Sequence, residues 1–493
     1  MSETEVGQHP HVDEPLEAGE AGAKVIRGSG TRAAAHVTGI LVGLISAPLV
    51  VRHLGPVGYG RFLTVTSIIY IVTGITEGGL ANVAIRQYAT GDRAERSALV
   101  SSLQGLRIAL CAVGLAGALI FGVAAGYPGV VVAGIALGGA ALVINSVQGA
   151  LNTTLIAGLR LPAVAGVELL RSISTTAVFL ILVLLGSGLL GFYFVAGAVA
   201  LPAYLATAWL VRREISLVPR FDRARWRALL HETALYAAAT TLGTVYFQVA
   251  VVSMSLLSNG HETGFYAAAF RVIDLANGVP WILAGSVFPV IAYAAGNDLE
   301  RLRYVVHRTT DGAVLVGGAF AVLIITGAGF GMKVVGGSAF ADSAPVLRIL
   351  GLGVMATFLV AAWGFVLLSQ RRYRELIAAN AAALVLAIVL SVILIPAFGA
   401  QGGGATTAAL ELTLATIYGV LLARGEGGLR PRALTLVRVV LAAAAAIGVG
   451  AALLGVGAVL ATFVAAIVYL ALMWFTGGVP EEILDAVRRR RAA

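Results

Sequence analysis

The sequence predicts an all-α integral membrane protein of about fourteen transmembrane helices, built as two six-helix lobes followed by a C-terminal helix pair. Three observations carry this expectation. Hydrophobic residues make up 59% and charged residues 12% of the chain, with a mean hydropathy of +0.92, whereas soluble domains are roughly half apolar and about a quarter charged. The apolar residues fall into stretches of about 20, the length that crosses a bilayer as a helix. The arginines occupy alternate gaps between those stretches, and the intervening gaps are almost bare.

The first thirty residues carry Glu3, Glu5, Asp13, Glu14, Glu17 and Glu20 among Gly, Ala, Pro and His. Such an acidic, apolar-poor segment cannot bury enough surface to fold, so 1–33 is expected to be a disordered tail. It lacks a basic segment running into a short apolar core, so the first span itself should direct insertion. The first lobe, 34–211, holds spans at about 34–53, 61–82, 103–125, 129–150, 162–187 and 190–211. A basic linker, 212–231, separates it from the second lobe, 232–424, with spans at about 232–257, 265–295, 312–332, 345–369, 375–398 and 401–423. The extra pair, within 425–476, spans about 434–455 and 457–476. In the tail, 477–493, Pro480 and two carboxylates lead into Arg488 to Arg491, a pattern that suits a short helix complementing its own dipole at an anionic leaflet.

Counted along this path, 29 Lys and Arg fall on one side and five, Arg52, Arg61, Arg271, Lys333 and Arg348, on the other. Cytoplasmic loops keep the excess of positive charge, so both termini are expected in the cytoplasm. The net charge of +9 is therefore spread along one membrane face and does not indicate nucleic-acid binding. A lone cysteine, Cys111, excludes an intrachain disulfide and a cysteine metal site. No nucleophile elbow, metalloprotease helix, phosphate loop or acidic metal cluster is present.

Two internal echoes point to duplicated halves. Tyr59 after span 1 and Tyr266 after span 7 lie 207 positions apart, while Leu205-Ala206-Thr207 and Leu414-Ala415-Thr416 lie 209 apart. Repeated halves with a substrate path between them are the build of many secondary transporters.

Ionisable residues in apolar stretches must face protein or a watery cavity. Arg86 and Arg107 flank the inner mouth of the first lobe, and Arg52, Arg61 and Arg271 lie toward the outer end, against the charge bias. Together they are candidates for an anionic head group, because the guanidinium fork matches phosphate. Glu77, Gln248, Asp274 and Glu411 are candidates for ion coupling or for polar cavity positions. Glu168 with Arg171, and Arg271 with Asp274, are spaced i,i+3 and can pair. Glu411 is either coupled to protons or satisfied by Thr406, Thr407 and Thr413; His36 is a packed polar residue or a proton relay.

Four segments resemble the lipid-linked oligosaccharide flippases of the polysaccharide type (O-antigen and teichoic-acid) within the MOP exporter superfamily, which also holds the multidrug and toxin extrusion (MATE) transporters and the lipid II flippases. They are Arg52-His53-Leu54-Gly55-Pro56-Val57-Gly58-Tyr59-Gly60; Glu77-Gly78-Gly79-Leu80 through Arg86; Thr263 through Arg271; and Leu394-Ile395-Pro396-Ala397-Phe398-Gly399-Ala400-Gln401-Gly402-Gly403-Gly404-Ala405. The resemblance implies a MATE-like, V-shaped pair of lobes that works by alternating access. Its cargo would be an undecaprenyl-diphosphate-linked oligosaccharide for cell-surface polysaccharide, in a bacterial plasma membrane. It implies a polyprenyl-diphosphate-linked glycan, the lipid bilayer and other polysaccharide assembly proteins as partners, and coupling to a proton or sodium gradient with no cofactor. The chain departs from many relatives at the middle of span 7, which reads Tyr246-Phe247-Gln248-Val249-Ala250 with no acidic residue. Rival readings are a lipid II flippase, in which an extra helix pair forms a lipid groove, a multidrug or cation antiporter, and a membrane glycan polymerase or ligase. The last needs a sizeable outer loop, and the outer loops here are short.

Overall fold

A computed structural model of the chain describes residues 18–425, 429 and 433–478. All regular structure among them is helical. The first lobe comprises α1 (Ala18–Glu77), α2 (Leu80–Thr90), α3 (Arg93–Ala124), α4 (Gly129–Ala157), α5 (Leu161–Leu184) and α6 (Leu189–Val211). The second comprises α7 (Arg223–Leu257), α8 (Gly260–Asn297), α9 (Leu299–Gly336), α10 (Ser343–Ser369) and α11 (Tyr373–Arg424), and the last pair is α12 (Ala433–Ala452) and α13 (Ala458–Phe475).

At 1.5 Å per residue, straight helices of the lengths of α1 and α11 would reach about 90 and 78 Å, against a hydrocarbon core of about 30 Å. Both reverse instead, at Gly55 (φ 64°, ψ 178°) and Gly399 (φ 56°, ψ −132°). Positive φ costs glycine nothing and other residues a clash. At the second reversal the returning chain brings Gly402 against the Leu394 carbonyl, so closely that a side chain there would overlap it. Twelve described helices are long and apolar enough to cross a membrane. That number is near the fourteen crossings expected, and two of the twelve are broken at a glycine.

Helix starts differ from the sequence expectation most on the arginine-rich side. Helices α1, α3, α7 and α9 begin at Ala18, Arg93, Arg223 and Leu299, about two and a half to four and a half turns before the apolar stretch. A hydropathy window stops at the first charges, whereas a helix continues through Ala, Arg, Glu and Leu, which favour it. Three of these starts are capped by aspartate: Asp92 with Glu95 in a reciprocal capping box, Asp222, and Asp298, each satisfying amides that would otherwise lack partners. Helix α1 thus begins inside the stretch expected to be disordered, because Ala18, Glu20, Ala21, Ala23 and Lys24 form helix well; residues 1–17 lie outside those described, as do the expected terminal helix after Pro480 and Arg488 to Arg491. The basic linker shortens to about ten residues and docks on the first lobe. The Arg220 amide donates to the Ser101 carbonyl at 2.9 Å, and Trp226 Nε1 to the Ser102 carbonyl at 3.0 Å.

Helices α12 and α13 pack on each other and on α9. Tyr469 Oη donates to the Leu315 carbonyl at 2.7 Å and lies over Gly318, where a side chain would not fit. Small residues that admit a neighbour this closely supply helix association in lipid, where no hydrophobic drive acts between helices.

Candidate functional site

The four sequence motifs lie at the two ends of the seam between the lobes, three at one end and the Glu77–Arg86 segment at the other. At the arginine-poor end, a Cβ on Gly60 would stand 3.0 Å from the Gly264 amide nitrogen, and Gly264 itself lies over the Pro56 carbonyl. The Glu262 carboxylate accepts from the Ala400 amide at 2.6 Å, tying the turn at Gly399 to the start of α8. At the arginine-rich end, Gly74 and Gly78 pack on Thr244 and Ala237 of α7, and Asn82 Nδ2 donates to Tyr236 Oη at 3.1 Å. Arg86 pairs there with Glu232, which also accepts from Gln87 at 2.8 Å. The two echoed turns, one from each half, therefore meet each other.

Beside this seam each lobe holds a cavity. The first, about 560 Å³, is walled by α1, α4, α5 and α6 and exposes Glu77, Asn145, Asn152 and Arg171. The second, about 570 Å³, is walled by α7, α8, α10 and α11 and exposes Asp274, Asn277, Asn380 and Glu411. Both volumes lie in the range of small-molecule sites. Tyr70, 48% exposed, lines the first cavity, and Arg171, Arg271 and Asp274 all lie within electrostatic reach of it.

The structure does not bring the five candidate arginines together. Arg52 donates to the Lys333 and Val334 carbonyls at 3.1 and 2.6 Å, and so caps the last turn of α9, where a cation also meets the negative end of the helix dipole. Arg52→Ala is expected to lower stability by about 0.3–1 kcal/mol; a thermal-unfolding series checks this. Arg61 is exposed near Tyr193. Arg86 is held by Glu232. Arg107, only 2% exposed, donates to the Ser146 carbonyl at 2.9 Å and lies 4.0 Å from Glu77, so it neutralises a carboxylate inside the first lobe. Arg271, about one-third exposed, is paired with Asp274, which lines the second cavity, at 2.7 Å as its i,i+3 spacing implied.

The other i,i+3 expectation fails. Arg171 makes no ion pair among the described residues and lines the first cavity instead, while Glu168 is engaged elsewhere. The threonines near Glu411 do not satisfy it: Thr406, Thr407 and Thr413 donate to the carbonyls of Gly402, Gly403 and Ala409 in their own helix. Glu411 is 3% exposed, and its Oε2 has no hydrogen-bond partner among the described residues. Gln248 is buried in α7. The amides Asn145, Asn152, Asn277 and Asn380 were not singled out by sequence. For the first pair a signal existed, since Asn145, Gln148 and Asn152 recur at i, i+3 and i+7 in an apolar span.

Residues 25–294, more than half of the chain, match the profile of a family described as "Polysaccharide biosynthesis protein". The chain belongs to that family. No curated protein matches it. Among solved structures it resembles the lipid II flippase MurJ in an inward closed conformation, with a TM-score of 0.71 at 12% identity over 90% of this chain and 98% of that one. It also resembles an inward-facing multidrug resistance MATE transporter of the MOP superfamily, with a TM-score of 0.63 at 15% identity over 79% and 96%. A third likeness is a MOP-superfamily transporter from Pyrococcus furiosus, with a TM-score of 0.56 at 16% identity over 80% and 93%. This member of the polysaccharide biosynthesis family thus has the fold of the MOP-superfamily flippases and transporters, and it is a multi-pass membrane protein.

Proposed function

We propose that the protein carries a polyprenyl-diphosphate-linked glycan from the inner to the outer leaflet of a bacterial plasma membrane, for surface polysaccharide assembly. The observation that carries this reading is that Arg171, which lines the first cavity, and Arg271, paired with Asp274 of the second, both lie within electrostatic reach of Tyr70 on α1. A charge in the hydrocarbon region costs on the order of 3 kcal/mol on insertion scales, and a diphosphate crossing there needs cations to meet it. Of the arginines first considered, Arg271 keeps the head-group role and Arg171 joins it, while Arg52, Arg86 and Arg107 serve the fold. Glu411 and Asp274 in the second cavity are the groups to which a proton or sodium gradient would couple. The scarcity of unpaired carboxylates in the first cavity weighs against a carrier of lipophilic cations.

The likeness to MurJ over 90% of this chain favours a second reading, transport of lipid II, whose head is also a sugar on a diphosphate. Reconstitution separates the two. In proteoliposomes, host lipid-linked glycans should become accessible from the second leaflet at least tenfold faster than in protein-free vesicles and faster than lipid II. Faster movement of lipid II would favour the second reading, and movement of neither would sink both. The orientation follows from the arginine division: reporter fusions at Arg223 should sit in the cytoplasm and fusions at Pro128, Gly188 and His261 outside, and a cytoplasmic signal at His261 would contradict it.

A further inference from the structure

The first-lobe cavity is asymmetric along its length. Four aromatic rings gather toward its arginine-poor end: Phe62 and Tyr193 are stacked with centroids 6.1 Å apart and planes 13° apart, and Phe179 and Phe192 are stacked at 5.8 Å and 22°. All four rings line the cavity. Glycine at 134 makes room for the Tyr193 ring, since a Cβ there would overlap it. Toward the other end runs the amide face of α4, with Asn145, Gln148 and Asn152 along about 10 Å of helix axis.

These polar groups are only partly explained by packing. Gln148 Nε2 donates to Thr207 Oγ1 at 3.3 Å. By contrast Asn145 Oδ1, Asn152 Oδ1 and Tyr193 Oη are buried without a hydrogen-bond partner among the described residues. Each such atom is costly, and a native structure keeps it for a reason. Two of the three are pure acceptors, and Tyr193 Oη both accepts and donates, so a ligand rich in hydroxyl groups would complete them. Aromatic faces are electron-rich and accept the C–H faces of a sugar ring, which are weakly positive.

We propose that this cavity is the sugar pocket of the transporter: the glycan's diphosphate-proximal sugars stack on the half-buried Phe62 and Phe179 rings, which the buried Tyr193 and Phe192 support by stacking, and donate hydroxyls to Asn145 and Asn152, while Arg171 at mid-depth holds the diphosphate. The assignment rests on the function proposed above. The two cavities then divide the work by charge. The first presents Arg171 and neutral amides, with Glu77 matched by Arg107; the second presents Asp274 and Glu411, which would repel a diphosphate unless Arg271 intervened. A neutral, hydroxyl-bearing ligand with an anionic tail fits the first and not the second.

The test is binding to the purified full chain of two probes, host polyprenyl-diphosphate-linked glycans and polyprenyl diphosphate bearing no sugar. The wild type should bind the glycan form at least tenfold more tightly. Asn145→Leu/Asn152→Leu removes two unpaired buried acceptors, so its Tm should not fall. It should bind both probes alike, with the wild-type affinity for the sugar-free carrier. Phe179→Leu, which keeps an apolar side chain of similar reach, should reduce the preference three- to tenfold. Unchanged preference in both variants, or equal binding of the two probes by the wild type, would overturn the sugar pocket while leaving a diphosphate carrier intact. A lowered Tm with loss of both probes would show that the amides are packing groups. Binding of neither probe by the wild type would instead overturn the proposed function itself.

Discussion

Replacing Arg271 by Ala should cut flipping at least tenfold and lower the amount of folded protein. Two effects combine in that result, and a second substitution separates them. Arg271 holds the Asp274 carboxylate at 2.7 Å, with the two side chains 30% and 32% exposed. Removing one partner of a fully buried pair costs about 3–5 kcal/mol, because it strands the other charge; at one-third exposure solvent screening reduces this to about 1–2 kcal/mol. That loss falls on stability. In Arg271→Ala/Asp274→Ala the stranded carboxylate is gone, so protein level should recover. The cation is still missing, so flipping should stay about tenfold down, which corresponds to about 1.4 kcal/mol of lost stabilisation of the crossing head group. Arg271→Lys should restore only part, because an ammonium cannot make the paired contact of a guanidinium with phosphate. Wild-type flipping by the double variant, measured per folded molecule, would make the pair purely structural.

The crossings, the two lobes and the reversals were legible in the chain because each depends on a local property. Apolar length gives a span, and the glycines at 55 and 399 stand where motifs required tight turns. The motif glycines were readable as close contacts, though not as contacts with one another: that Gly60 meets Gly264 depends on how the lobes are placed, which no local pattern encodes. Helix starts were misjudged where an aspartate cap follows a polar run, as at Asp92 and Asp222, since hydropathy sees the charge and not the cap. Spacing also misjudged Arg171. An i,i+3 partner makes an ion pair available, but the choice between a neighbour on the same helix and a cavity on the far side is tertiary. Arg271 and Asp274, with the same spacing, do pair. Glu411 illustrates the reverse difficulty: three threonines nearby in sequence bond back to their own helix carbonyls, as hydroxyls in apolar helices commonly do, and leave the carboxylate to the cavity.

A cross-link across the arginine-poor end is expected to stop transport outright. Movement of a lipid head group between leaflets requires the lobes to part at that end, where the turn after the first crossing rests on the start of α8. A Cβ built on Gly260 lies 3.7 Å from Val57 Cβ, inside the 3.5–4.5 Å window of a disulfide, and Gly260 has no positive φ that would resist a side chain. The native Cys111 is buried and should not compete. Val57→Cys/Gly260→Cys should therefore form a bond between the lobes on oxidation, with each single variant transporting normally. The decisive measurement is flipping by the double variant, oxidised and then reduced, with the cross-linked fraction quantified in the same sample. Alternating access at this seam requires flipping to fall to the protein-free background when cross-linking is complete and to return on reduction. Undiminished flipping by fully cross-linked protein would mean that the cargo crosses without the lobes parting there.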